Sequence, residues 1–164
     1  MTDPDAPRPH EVAVPLPASG DAWLRVIGRL RTPWTRRADC PRQGSEDGPD
    51  CRIEILPHWH AALDGIEAYA RLEVLYWLDR ARRDLAVQNP KGDGVTYGTF
   101  ALRSPVRPNP IGTAIVRLIA RDGGTLTVRG LDCLDGTPLI DLKPERGLFT
   151  PKAAAKPADG ERRR

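Results

Sequence analysis

Residues 103–112 (RSPVRPNPIG) constrain this chain more than any other stretch. Pro105, Pro108 and Pro110 each lack an amide donor and fix φ, so neither a helix nor a central strand accepts them so close together. The segment must be a shaped loop. Ser104, Arg107 and Asn109 each precede a proline and are therefore held extended, with their side chains splayed in set directions. Arg103 and Arg107 offer planar forks for phosphate or carboxylate, while Asn109 both donates and accepts. Loops this stiff carry binding and catalysis more often than packing. The alternative is a proline-stiffened surface turn.

On either side of the bend the apolar pattern is mostly period two, the signature of half-buried strands. Residues 22–30 (AWLRVIGRL) read as a first strand and residues 52–56 (RIEIL) as a second. Residues 58–63 form a short helical turn after Pro57. Residues 69–78 (YARLEVLYWL) fit either helix or strand, and residues 79–85 (DRARRDL) fit a brief helix or a basic loop. Residues 96–102 read as a strand feeding the bend. Residues 112–120 and 125–130 make a hairpin, since the intervening Arg-Asp-Gly-Gly supplies positive φ. Residues 139–142 add a last strand. The expected architecture is mainly β: a single-domain, irregular antiparallel β-barrel with one or two short helices.

The chain has 164 residues, enough for one domain with a real core. Prolines at 4, 7, 9, 15 and 17 and the absence of any sustained period mark residues 1–20 as a disordered tail. Residues 151–164, ending in three arginines, read as a second, basic tail. The folded domain is placed at 21–150. A net charge of +3 permits a polyanionic partner without demanding one. Cys40, Cys51 and Cys133 cannot all pair, and no apolar leader precedes them, so free thiols in the cytoplasm are expected. No run approaches the ~20 apolar residues needed to cross a bilayer.

Further motifs accompany the bend. Downstream lie residues 130–144 (GLDCLDGTPLIDLKP), and upstream residues 41–44 (PRQG) and 65–69 (GIEAY). In that order they resemble the TsaA-like family of S-adenosylmethionine-dependent tRNA methyltransferases, which act on N6 of threonylcarbamoyladenosine at position 37. The resemblance covers residues 23–144. It implies a β scaffold whose loops hold the cofactor, since the glycine-rich turn of a doubly wound fold is absent here. It also implies a homodimer with the cofactor near the subunit boundary.

Carried over residue by residue, the resemblance assigns Pro41, Arg42 and Gln43 to the cofactor, with Arg42 also reaching the substrate. Asp79 and Arg80 fall on a further cofactor position, where family members typically carry histidine and a polar residue. Arg103 falls on a cofactor-contacting arginine, Thr113 follows the Ile-Gly that meets the cofactor, and Asp132, Cys133, Leu134 and Asp135 line the pocket. By its turn chemistry Asp135 is also a turn-maker. Arg107, Asn109 and Lys143 are assigned to the substrate, and Glu145 stands where the family commonly has an aromatic residue. Asn109, Asp132 and Asp141 are the catalytic candidates; for proton removal the acceptors that stay open are Asp132, Asp141 and the substrate's own carboxylate, and Asp141 and Lys143 can alternatively pair with each other.

Methyl transfer from a sulfonium requires no metal. Cys40, Cys51, His58 and His60 are the residues to weigh for zinc, but their spacings lack a Cys-x-x-Cys pair, so none is assigned. Two other functions stay open on the sequence: methylation of a different small molecule or RNA, and non-catalytic binding of RNA or a nucleotide.

Overall fold

The structure is a computed structural model, described here for residues 8–17, 19–20 and 22–145. Among the described residues nine strands form in chain order: β1 (Val12–Ala13), β2 (Gly28–Arg31), β3 (Cys51–Ile55), β4 (Arg71–Trp77), β5 (Leu85–Gln88), β6 (Tyr97–Gly98), β7 (Ile111–Asp122), β8 (Thr125–Arg129) and β9 (Pro138–Pro144). Six of them close a barrel in the order β2-β3-β8-β7-β4-β9, with every neighbouring pair antiparallel. Closure removes the free edges that an open sheet would expose.

Alternation decides which side chains fill the barrel. On β4, Leu72, Val74 and Tyr76 are buried, whereas Glu73, Leu75 and Trp77 lie on the outer face. Ile53, Val116, Leu126, Val128, Leu30 and Leu139 supply the same inner face from the other strands, all wholly enclosed. Residues 69–78, ambiguous in sequence, are therefore strand from Arg71 to Trp77, because the inward parity places three large side chains in one core. Gly28 permits the tight seam where β2 meets β3, since a Cβ there would lie 2.3 Å from the Glu54 carbonyl oxygen.

Several segments depart from expectation. Of residues 22–30, only the end joins a sheet: Trp23 is 96% exposed, and β2 pairs with β3 from Gly28 onward. Alternating apolar residues without a partner strand have no ladder to complete. Residues 96–102 make only the short β6 and then a 3-10 turn, Thr99–Ala101. Of the two readings of residues 79–85 the loop is the one that forms, with a turn at Asp79 and Arg80 and irregular backbone up to Leu85, which opens β5. Part of the stretch assigned to an N-terminal tail is paired: β1 joins β5, which pairs with β6 in a small three-stranded sheet beside the barrel. Arg8 Nη1 donates to the Asn89 and Pro90 carbonyls, and the Asn89 amide donates to Glu11 Oε1. The C-terminal stretch 151–164 lies outside the described residues. No helix among the described residues is long and apolar enough to cross a membrane.

Candidate functional site

Strand direction alternates around the ring, so each connection is assigned to one mouth. Residues 32–50 (β2 to β3), 78–110 (β4 through the small sheet to β7) and 130–137 (β8 to β9) all leave from the same mouth. The opposite mouth receives residues 56–70 and the 123–124 turn. Thus the PRQG segment, Asp79 and Arg80, the proline bend and the GLDCLDGT corner share one end.

Side-chain contacts tie these loops together. Tyr76, inward on β4 and 3% exposed, donates its hydroxyl to Asp132 Oδ1 at 2.5 Å. Burial pushes the Tyr76 phenol well above its ordinary range and the Asp132 charge adds to this, while Arg103 acts in the opposite sense. Tyr76 therefore remains a donor, and Arg103 lies within electrostatic reach of the Tyr76–Asp132 pair. Residues 41–44 are pressed against the corner: a Cβ on Gly44 would sit 1.7 Å from the Gly130 carbonyl oxygen. Arg37 donates to the Arg80 carbonyl, joining the first loop to the second.

The proline bend is braced from within and from β5. Arg107 Nη1 donates to the carbonyls of Leu102 at 3.0 Å and Ser104 at 3.2 Å, so it holds the loop's shape. Gln88 Nε2 donates to the Val106 carbonyl, and Arg83 Nε donates to that of Pro108. Arg83 also lies over the Trp77 ring, 5.2 Å from its centroid, a cation–π contact. Asn109 is exposed and its carbonyl accepts from Ile111 N. Arg42, Gln43 and Arg103 project into solvent.

The 130–137 corner is a built turn. Asp135 Oδ1 accepts from Thr32 N, Thr32 Oγ1 donates to the Cys133 carbonyl, and Gly136 takes φ 80°. Asp135 is accordingly a turn-maker. Cys133 is buried, which pushes its thiol up to about 12, with the Asp132 charge adding to burial. Leu134 contributes its carbonyl to Thr137 Oγ1.

Other sequence-assigned residues are not gathered here. Thr113 stands exposed on the outer face of β7, opposite Leu75. Asp141 and Lys143 lie further along β9, where Lys143 Nζ meets Asp141 Oδ2 at 2.5 Å. Glu145 lies 3.7 Å from Arg71. Of the four residues weighed for zinc, Cys40 and Cys51 belong to the loop mouth and His58 and His60 to the other, where His60 Nε2 is 3.0 Å from the Ile55 carbonyl. Tyr76 and the Gly44–Gly130 pinch were missed in sequence. The signal for Tyr76 was a lone hydroxyl at an inward position of an aliphatic strand, which must find a partner once buried.

Two hollows take in only part of these groups: Asp135 lines one, and Asp141 and Lys143 line the other. A depression of about 780 Å³ runs along the outer faces of β2 and β3 past Asp135, lined by Arg31, Arg52 and Glu54 among others. Another of about 520 Å³ lies under the 56–70 segment beside Asp141 and Lys143. Arg42, Arg103 and Asp132 line neither.

The donor set at the mouth suits a zwitterionic ligand. Arg42 and Arg103 are cations with no hydrogen bond or ion pair among the described residues, and Asp132 supplies a carboxylate whose Oδ1 alone is engaged. A molecule carrying one carboxylate and one sulfonium finds a partner for each charge.

Comparison with known proteins follows the same line. A probable S-adenosyl-L-methionine-binding protein, VirR, from Rhizobium radiobacter is 56% identical over 149 residues, covering 91% of this chain and 85% of that protein. A rat tRNA (adenine(37)-N6)-methyltransferase is 30% identical over 144 residues, covering 83% of this chain but 33% of its own length. Among solved structures, TrmO from Pseudomonas aeruginosa superposes with a TM-score of 0.68 at 28% identity, covering 87% of this chain and 64% of that one. A second TrmO structure gives 0.70 at 30% identity, covering 85% and 64%. The chain thus spans just under two thirds of those solved structures. The tRNA-methyltransferase O N-terminal domain family matches residues 29–149, and the chain belongs to that family.

Proposed function

We propose that this chain transfers a methyl group from S-adenosylmethionine to N6 of threonylcarbamoyladenosine at position 37 of tRNA. The observation that carries the reading is the convergence of residues 32–50, 78–110 and 130–137 at one barrel mouth, so that the loops bearing Arg42, Arg103 and Asp132 share one end. Similarity to named S-adenosylmethionine-binding proteins and to a tRNA (adenine(37)-N6)-methyltransferase supports it. When bound, S-adenosylmethionine supplies an activated methyl on a sulfonium. Arg42 and Arg103 hold the cofactor carboxylate, and Pro41, Gln43 and the 132–135 backbone line the adenosine. Alignment of the reacting atoms can contribute roughly 7–11 kcal/mol, so positioning does most of the work.

Asp132 is the proton acceptor we assign. Tyr76 fixes its Oδ1 and no hydrogen bond among the described residues engages Oδ2, whereas Asp141 is engaged by Lys143. Arg107 acts by shaping the bend, and Asn109 is left to meet the nucleotide. The domain proposed to do this is 21–150, working in the cytoplasm as a homodimer. The dimer is supported by the exposure of the candidate residues, which a second copy would enclose. Incubating the protein with radiolabelled S-adenosylmethionine and tRNA lacking the methyl group tests the reading. Label in tRNA, lost in Arg103→Ala, is expected; tight cofactor binding with no transfer to that tRNA overturns the substrate.

A further inference from the structure

The proline bend is entered through an element that none of the assigned roles uses. The 3-10 turn Thr99–Ala101 lies between β6 and Arg103, and its middle residue, Phe100, is 82% exposed. Three residues earlier, Tyr97 is 43% exposed. Single exposed apolar residues are common and need no explanation. The anchoring of this one does. Thr99, 3% exposed, donates Oγ1 to the Leu85 carbonyl at 2.6 Å and accepts from Gln88 Nε2 at 2.9 Å. The same Gln88 amide donates to Val106 in the bend at 2.6 Å, and the Leu102 amide closes the turn on the Thr99 carbonyl at 3.2 Å. Arg107 then caps the Leu102 carbonyl. The ring is thus rooted in backbone pinned on both sides, three residues before exposed Arg103.

We propose that Phe100 is a stacking platform for an unpaired base of the tRNA loop next to the methylated adenosine. The inference rests on the tRNA reading above. RNA loops are read by splaying bases onto aromatic faces beside arginine forks. Such stacking tolerates any base, because each presents a π-face. Phe100 and Tyr97 supply the faces, Arg103 the adjacent cation, and the pinned turn presents them without a large ordering cost.

The test uses the full chain, a fluorescent anticodon stem-loop RNA and three variants: Phe100→Ala, Phe100→Leu and Phe100→Tyr. Leucine keeps an apolar side chain but has no π-face, so it separates stacking from hydrophobic packing. We expect Phe100→Tyr to bind RNA like the parent and both other variants to weaken the Kd by about 5-fold to 150-fold, the range set by one stacked base. S-adenosylmethionine affinity and melting temperature should stay unchanged, and KM for RNA should rise with kcat retained. Parent-like RNA affinity in Phe100→Leu overturns the proposal. So does a change of oligomeric state without loss of RNA affinity, which would make Phe100 a subunit contact, and so does failure of the parent chain to bind the RNA. If the parent transfers methyl groups but the variants match it, stacking alone fails. If RNA binding depends on Phe100 but no methyl is transferred, the methyltransferase reading fails and stacking stands.

Discussion

Substituting Gly44 by alanine would separate the scaffold from the site. The added Cβ would lie 1.7 Å from the Gly130 carbonyl oxygen, 2.4 Å from its carbon and 3.1 Å from its Cα. These are backbone atoms, so no rotamer change relieves the overlap. Gly130 cannot retreat, because it sits at φ 117° with its own Cβ position 2.8 Å from the Ile115 carbonyl oxygen. Gly44 is not at positive φ, so alanine brings no backbone strain and the effect is steric alone. Relief requires residues 41–44 to move away from the corner, and forced overpacking of this kind costs about 1–3 kcal/mol. If that displacement falls on the cofactor-holding geometry, S-adenosylmethionine affinity drops by roughly 5-fold to 150-fold. Titration calorimetry with S-adenosylmethionine reads this directly, and circular dichroism should retain the β signature, because Gly44 belongs to no strand. Gly98→Ala is the control: φ is −60° and nothing lies within 4 Å of the new Cβ. A Gly44→Ala protein with the parent's cofactor affinity would refute the idea that this pinch shapes the mouth.

Tyr76→Phe removes the hydroxyl from Asp132 while keeping the ring against Gly112, and loss of a hydrogen bond to a charged group costs about 1.5–3 kcal/mol. We expect a lowered urea midpoint together with a shifted pH profile of methyl transfer; an unchanged profile would separate Tyr76 from the chemistry. The thiols give a pH test of the fold. Burial raises Cys51 to about 11 and Cys133 to about 12 from an ordinary 9.0, so each favours the folded state fully below pH 9. That contribution disappears as pH rises through those values, so urea midpoints should fall between about pH 9 and 12, less steeply in Cys133→Ala. At pH 8 a thiol reagent should modify half-buried Cys40 first and the other two only on unfolding.

Legibility of the sequence followed from where the physics was local. Pro105, Pro108 and Pro110 fix φ by covalent geometry, so a shaped loop could be read without tertiary information, as could the Gly123-Gly124 hairpin between β7 and β8. The alternation in residues 71–77 needed a partner before it became strand, because the same spacing satisfies a helix. Residues 22–26 alternate as well, yet they pair with no strand among the described residues, and only Ile27 reaches β9. β1 and β5 are too short to show a period, and their pairing is long-range. For the candidate site, motif order picked out loops that share one mouth, but not how they are joined: the Tyr76–Asp132 bond spans 56 positions. Asp141 and Lys143 share a motif with Asp132 in sequence, and the direction of β9 carries them away from it.

That direction also governs what can be added to the protein. β9 runs from the loop mouth and ends at Pro144 on the far side, after seven residues that span about 20 Å at ~3.3 Å each. A module fused directly after Glu145 would therefore begin at the base of the barrel, away from the rim that carries the proline bend. To touch that rim it must first travel back along the barrel wall, a detour of some six extended residues.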